Sequence, residues 1–197
     1  MLDIVRRSIC VHITVLPEAA GIVFGGGFPR DQRVGSRRAA QRVIFFTEQE
    51  LEAVADLDEP AAVLCDRGTV DGAAYWVGPG TLWDAMGTTR DLQLARYDTV
   101  IHLRTPPVAE GYDHANPLRR ESAADAARID ERIAIAWAGH PHRFVVEATE
   151  TFATKAARTL AILRAELPES CRRHLPRAVL QEGVASGSSP AAVTPRV

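Results

Sequence analysis

An apolar run, Ala61-Ala62-Val63-Leu64-Cys65, ends directly on Asp66-Arg67-Gly68, and a second carboxylate, Asp71, follows about one helical turn later with Tyr75 and Trp76 behind it. An acid at the carboxyl end of a parallel strand lies where open α/β sheets gather their ligands. An Asp beside an Arg supplies both halves of a phosphate site. The carboxylate of Asp66 can hold a magnesium ion carried on a nucleotide, and the guanidinium of Arg67 can neutralise charge on the transferring group. Asp71 is a candidate for the substrate side, although an acid in the first turn of a helix is favourable there on electrostatic grounds alone. What these residues lack is a phosphate-binding lysine. Lys155 is the only lysine, it lies far downstream, and no G-x-x-x-x-G-K-[ST] loop can be drawn anywhere in the chain.

Other candidates are weaker. Glu18 follows Val11, Ile13, Val15 and Leu16, so it too falls at the end of a strand. Arg30 can face an acceptor, but Pro29-Arg30-Asp31 reads equally as a turn with a local ion pair. Gly25-Gly26-Gly27 lacks both G-x-G-x-x-G spacing and a following Lys-Ser/Thr, which makes it a flexible substrate-side loop in preference to a phosphate cradle. His140 and His142, and Cys171 with His174, form no complete set of metal ligands, and packing or surface roles suit them better.

Composition narrows the setting. The 197 residues are 46% hydrophobic and 24% charged, ordinary for one globular domain. A formal net charge of -2 gives no bulk attraction to nucleic acid or an anionic membrane, so neither is an expected partner. The three cysteines are scattered and odd in number, without a C-x-x-C pair, which fits a reducing cytoplasm better than a disulfide framework. No segment reaches 18 uninterrupted apolar residues.

Those side chains need a scaffold, and the periodicity supplies one. Leu2, Ile4, Val5 and Ile9 look like the last turns of a helix. A strand at 11–16 leads to a helix over 36–56, a strand at 61–65, short helical pieces near 77–91, and a strand at 99–103. A proline-interrupted polar loop then precedes a helix from Ser122, a strand at 144–147 and a helix over 151–166. The small-residue segment 176–197 reads as a disordered tail beyond a domain at 1–175. Strands alternating with helices predict an α/β fold: a mostly parallel sheet in a three-layer αβα arrangement, with four strands in this chain.

Several motifs in order carry a resemblance. They are Val15-Leu16-Pro17-Glu18-Ala19-Ala20, Gly26-Gly27-Phe28-Pro29-Arg30, the Gln41 helix, Cys65-Asp66-Arg67-Gly68-Thr69-Val70-Asp71-Gly72, Tyr97-Asp98-Thr99-Val100-Ile101-His102-Leu103 and Asn116-Pro117-Leu118-Arg119-Arg120-Glu121-Ser122. In these the sequence resembles the P-loop AAA-type ATP-binding domain family related to nicotinamide riboside kinase. The resemblance implies a nucleoside-kinase-like P-loop fold with sheet order 2-3-1-4-5, in which ATP or GTP with Mg2+ is held for phosphoryl transfer or hydrolysis. It implies that Glu18 contacts the acceptor hydroxyl and that Arg119 and Arg120 belong to a basic lid over the nucleotide. It also implies a first, central strand and phosphate loop ahead of the helix that ends near Ile9. Their absence from this sequence predicts impaired activity, with Met1 either an internal methionine of a longer reading frame or the start of a degenerate derivative. The alternative is a non-catalytic binding or regulatory module that uses the same surface for an anionic ligand or a protein partner.

Overall fold

The computed structural model describes residues 12–105, 123–148 and 151–172. Its first strand, β1 (Ile13–Leu16), runs through Pro17 and Glu18 into a helix, α1 (Ala19–Gly25), and then into the long helix α2 (Val34–Asp56). Strand β2 (Ala62–Cys65) follows, and it lies parallel to β1 with Ile13 opposite Ala62 and Leu16 opposite Cys65. Parallel neighbours need a crossover, which α1 and α2 provide. The expected loop around Gly25 is thus preceded by a helical segment that the glycines at 21 and 25 disguise. Ala19 and Val23 bury against Ile44 of α2, and that packing overrides the poor helix propensity of glycine.

After β2 the chain makes a single 3-10 turn (Thr69–Asp71) and three short helices, α3 (Gly72–Tyr75), α4 (Leu82–Met86) and α5 (Arg90–Leu94). Local capping defines the last two. Thr81 and Asp84 form a reciprocal capping box at the start of α4, Gly87 closes it with φ 64, and the Thr89 hydroxyl accepts from the Leu92 N–H at the start of α5. Strand β3 (Val100–Leu103) precedes α6 (Ala123–Ala136), and β4 (Arg143–Val146) pairs in parallel with β3, Val100 opposite Arg143 and Leu103 opposite Val146. Two helices complete the described chain, α7 (Phe152–Glu166) and α8 (Glu169–Arg172).

The four strands therefore form two parallel pairs, β1-β2 and β3-β4, and no ladder joins β2 to β3 among the described residues. Helices tie the pairs together. Val70 of the 3-10 turn, Ala74 of α3, Leu94 of α5, and Ile133 and Ala136 of α6 pack with Trp137 into one buried cluster. A second cluster joins Phe45 of α2 to Trp76 and Leu82. This mixture of helices and short parallel strands is compatible with three αβα layers. The helix read near Leu2–Ile9, the Arg119-Arg120 loop and the 176–197 tail lie outside the described residues. Among the described residues no helix is long and apolar enough to cross a membrane.

Candidate functional site

The carboxyl ends of β1 and β2 are neighbours because the two strands are parallel and in register, so Glu18 and Asp66-Arg67 emerge side by side. Arg67 Nε lies 3.7 Å from Glu18 Oε1, an ion pair between two side chains that are each about 40% exposed. Asp66 is exposed and makes no hydrogen bond to another described residue. Arg67 has φ 93, a left-handed backbone that a non-glycine residue rarely adopts, and such strain persists only where the surroundings over-determine it.

The surroundings can be named. Gly68 sits so close to Tyr97 and Trp137 that a Cβ there would lie 2.9 Å from Tyr97 Cζ and 3.0 Å from Trp137 Cζ2. Beneath it the Tyr97 hydroxyl accepts from the Thr69 N–H at 2.7 Å and donates to Glu52 Oε1 at 2.8 Å. Asp71 is buried, and both its oxygens are engaged: Oδ2 accepts from the Gly68 N–H and Oδ1 from the Trp137 indole N–H, each at 3.0 Å. The turn that presents Asp66 and Arg67 is therefore clamped from below. If strain is stored at Arg67, Arg67→Gly should be more stable than Arg67→Ala by about 1 kcal/mol, although glycine is ordinarily the more costly replacement. Thermal unfolding of the two variants checks this.

The electrostatics follow from the same packing. Partial desolvation works against the Arg67 charge, but the negative fields of Asp71, Tyr75, Glu18 and Asp66 outweigh it and raise its pKa above the ordinary arginine value. Glu48, buried on α2, is pushed well above the usual carboxylate range by burial first, then by Asp71 and Glu52, with Arg67 opposing and Glu18 adding to the rise. Burial, reinforced by Glu52 and Glu48, pushes the Cys65 thiol up to about 12, which disqualifies it as a nucleophile near neutral pH.

The structure brings Glu18, Asp66, Arg67 and Asp71 to one end of the β1-β2 pair. Arg30 is exposed and stacks over the Phe24 ring, 4.9 Å from its centroid, while Asp31 pairs with Arg33. Arg119 and Arg120 lie outside the described residues. The sole lysine, Lys155, donates to the Arg104 carbonyl at 2.5 Å. His140 is buried, with Nε2 2.7 Å from the Tyr97 carbonyl and Nδ1 accepting from the His142 N–H, so both ring nitrogens are used in packing. No group of three or more His, Cys, Asp or Glu among the described residues can hold a metal ion.

Sequence reading named Gln41 only as a marker of its helix and passed over Glu48 and Glu52. Their spacing was the available signal. At 100° per residue these three fall within about 40° of one another, on the face where α2 also carries Phe45 and Ala55. Polar residues on an apolar stripe announce a buried polar site.

The family model described as an AAA domain matches residues 7–155, a stretch that contains both strand pairs and every described residue of the Glu18–Arg67 site. No curated protein and no solved structure matches the chain. With most of its length matched, the chain belongs to the AAA domain family, of P-loop, nucleotide-binding type.

Proposed function

We propose that this domain binds ATP or GTP with Mg2+ and is built for kinase-like phosphoryl transfer or nucleotide hydrolysis. The observation that carries the reading is the exposed Asp66 at the carboxyl end of β2, free of hydrogen bonds to the other described residues and held beside the Glu18–Arg67 pair by the clamped turn. Asp66 fits a magnesium ion that arrives on nucleotide phosphates, since no described residues form a metal cage of their own. Magnesium, when bound, neutralises phosphate charge. Arg67, kept protonated by its acidic neighbours, adds a second positive charge on the transferring group. Glu18 is in reach of the same region to orient an acceptor hydroxyl and accept its proton.

Among the described residues no strand pairs with the free edges of β2 and β3, which supports the finer reading that a further parallel strand belongs between them. Interior ladder groups left without partners are strongly unfavourable, and a strand there would pair both edges. In a P-loop domain that strand leads into the backbone nest and lysine that grip the terminal phosphates. Nucleotide affinity in the 197-residue chain should then be weak. Calorimetry with ATP and Mg2+ tests this on the chain alone and on a version extended by the in-frame upstream codons. Tight, Mg2+-dependent binding by the extended version and weak binding by the chain alone are expected, roughly a hundredfold apart or more. Equal, tight binding by both would overturn the view that the phosphate grip lies outside these residues. No binding by either would leave a non-catalytic module, with the surface of Glu18 and Arg67 engaging an anionic ligand or protein partner.

A further inference from the structure

We propose that the outward face of α2 is a self-association surface, on which a second copy of this chain packs its own α2 antiparallel across a two-fold axis. Helix α2 is apolar on two sides. Ala40, Ile44, Phe45 and Ala55 are buried toward the rest of the chain, while Val43, Phe46, Val54 and Leu57 are open to solvent, from 38% exposed at Val43 to 79% at Leu57. Leu57 caps the helix and continues its backbone conformation. The outward positions Ala39, Val43, Phe46, Glu50, Ala53 and Leu57 alternate in steps of four and three, the spacing of a coiled-coil seam. Phe45 meets Phe46 edge-on, with ring centroids 5.5 Å apart, which ties the outer ring to the inner face.

Charge selects the partner and its direction. Every charged residue from 32 to 42 is an arginine, and every one from 43 to 59 is an acid. That order opposes the helix macrodipole, which favours acids in the first turn and bases in the last, and α2 has neither. The arrangement is unfavourable for the helix by itself. It becomes complementary when an antiparallel copy lays its acidic end along the arginine end. Arg33 is paired with Asp31, Arg38 lies over the Trp76 ring, and Glu52 holds Arg96. The exposed charges that remain are Arg42 toward one end and Glu50, Asp56, Asp58 and Glu59 toward the other.

Arg42 and Asp56 are two heptads apart and share one flank of the apolar stripe. A two-fold axis passing between Phe46 and Glu50 sets Ala39 opposite Leu57 of the second copy, Val43 opposite Ala53 and Phe46 opposite Glu50, and brings Arg42 to Asp56 twice. A parallel copy would set Arg42 against Arg42 and Asp56 against Asp56. Only the antiparallel pair is self-complementary. The seam is roughly 27 Å long, which places the covered area near the lower limit of about 1,000 Å² for a specific interface, so the dimer should be weak, with Kd on the order of 10 μM. Glu50 within the seam fixes register at a cost in affinity, as a single polar seam residue does.

Sedimentation equilibrium of the 197-residue chain from about 2 to 200 μM tests the proposal, and it requires no nucleotide, so its outcome is separable from that of the ATP experiment. A monomer–dimer equilibrium is expected. Phe46→Glu should weaken it by about tenfold or more, whereas Glu50→Leu should strengthen it by about tenfold. Arg42→Glu and Asp56→Arg should each weaken it about threefold or more at low salt, and the two together should restore it, because the reversed pair is again complementary across the axis. All four positions are exposed, so each variant should keep the parent far-UV spectrum and unfolding temperature. A chain that stays monomeric throughout, which would leave the stripe to a different partner, overturns the proposal. Association that runs beyond the dimer, a dimer indifferent to Phe46→Glu, or a double reversal no better than either single change would do the same.

Discussion

Trp137→Ala should lower stability by roughly 3–5 kcal/mol, a large fraction of what a domain of this size possesses. The indole is 4% exposed and packs with Val70, Ala74, Leu94, Ile133 and Ala136. It stands edge-on to Tyr97, with ring centroids 5.2 Å apart, and to His140 at 6.0 Å. Its N–H donates to Asp71 Oδ1 at 3.0 Å. Truncation leaves a cavity and an unsatisfied carboxylate oxygen in the same place, and neither loss is recovered by relaxation of the short turn above. Trp137→Phe separates the two contributions, because it keeps much of the ring volume and deletes only the donor. It should cost about 1–2 kcal/mol, and combining it with Asp71→Asn should cost less than the sum of the single changes. Urea unfolding of the four proteins measures both numbers. Since the indole supports Gly68 and Asp71, the alanine variant should also free the Asp66–Arg67 turn. Additivity between the Phe and Asn changes would show that the indole and Asp71 do not act as a unit.

The second large effect is expected at Asp130, on the other strand pair. His102 in the middle of β3 and Asp130 on α6 are both buried, with His102 Nε2 3.1 Å from Asp130 Oδ1. Arg143 Nη2 lies 2.8 Å from His102 Nδ1, and because a guanidinium only donates, the imidazole carries its proton on Nε2 and gives it to Asp130. Asp130 also accepts from the Thr105 N–H at 3.2 Å and holds Arg104 Nε at 2.8 Å. Burial alone raises the Asp130 pKa, but the bond from His102, the charge of Arg104 and the Thr105 N–H together lower it below the ordinary 3.8. An acid depressed in the folded state adds stability that is present above its unfolded value and lost as pH falls through the folded one. Asp130→Ala should therefore cost roughly 2–4 kcal/mol near neutral pH, less than a fully buried pair because Arg104 is partly exposed to solvent. The difference from the parent should shrink below about pH 4. Guanidinium unfolding midpoints across pH check this, and a destabilisation that is constant down to pH 2 would sink the assignment of an ionised Asp130.

Both predictions concern contacts that sequence reading did not reach, and the reason lies in chain separation. The positions of Asp66, Arg67 and Glu18 were legible because each falls within two residues of a short apolar run, and the carboxyl end of a parallel strand is a position fixed by local pattern. The four strands and the long helix were legible for the same cause: apolar periodicity is written within ten to twenty neighbouring residues. Helix α1 was not, because its glycines argue against it locally and its stability comes from Ile44, more than twenty positions away. Asp71 could be placed at the start of a helical turn, but that its oxygens are engaged by Gly68 and by Trp137 depends on a residue 66 positions downstream.

Composition, the order of elements and several motifs in sequence were thus sufficient for a mixed fold of helices and parallel strands and for the AAA domain family. Tertiary structure alone decided that the described strands form two separate pairs, that Arg67 is held in a strained backbone, that Gln41 and Glu48 of the long helix are buried, and that His102, Asp130 and Arg143 form one network. The division is physical. Backbone propensity and amphipathic patterning act over a few residues and can be read along the chain, whereas burial, charge pairing and hydrogen-bond satisfaction are set by neighbours brought together only when the chain closes on itself.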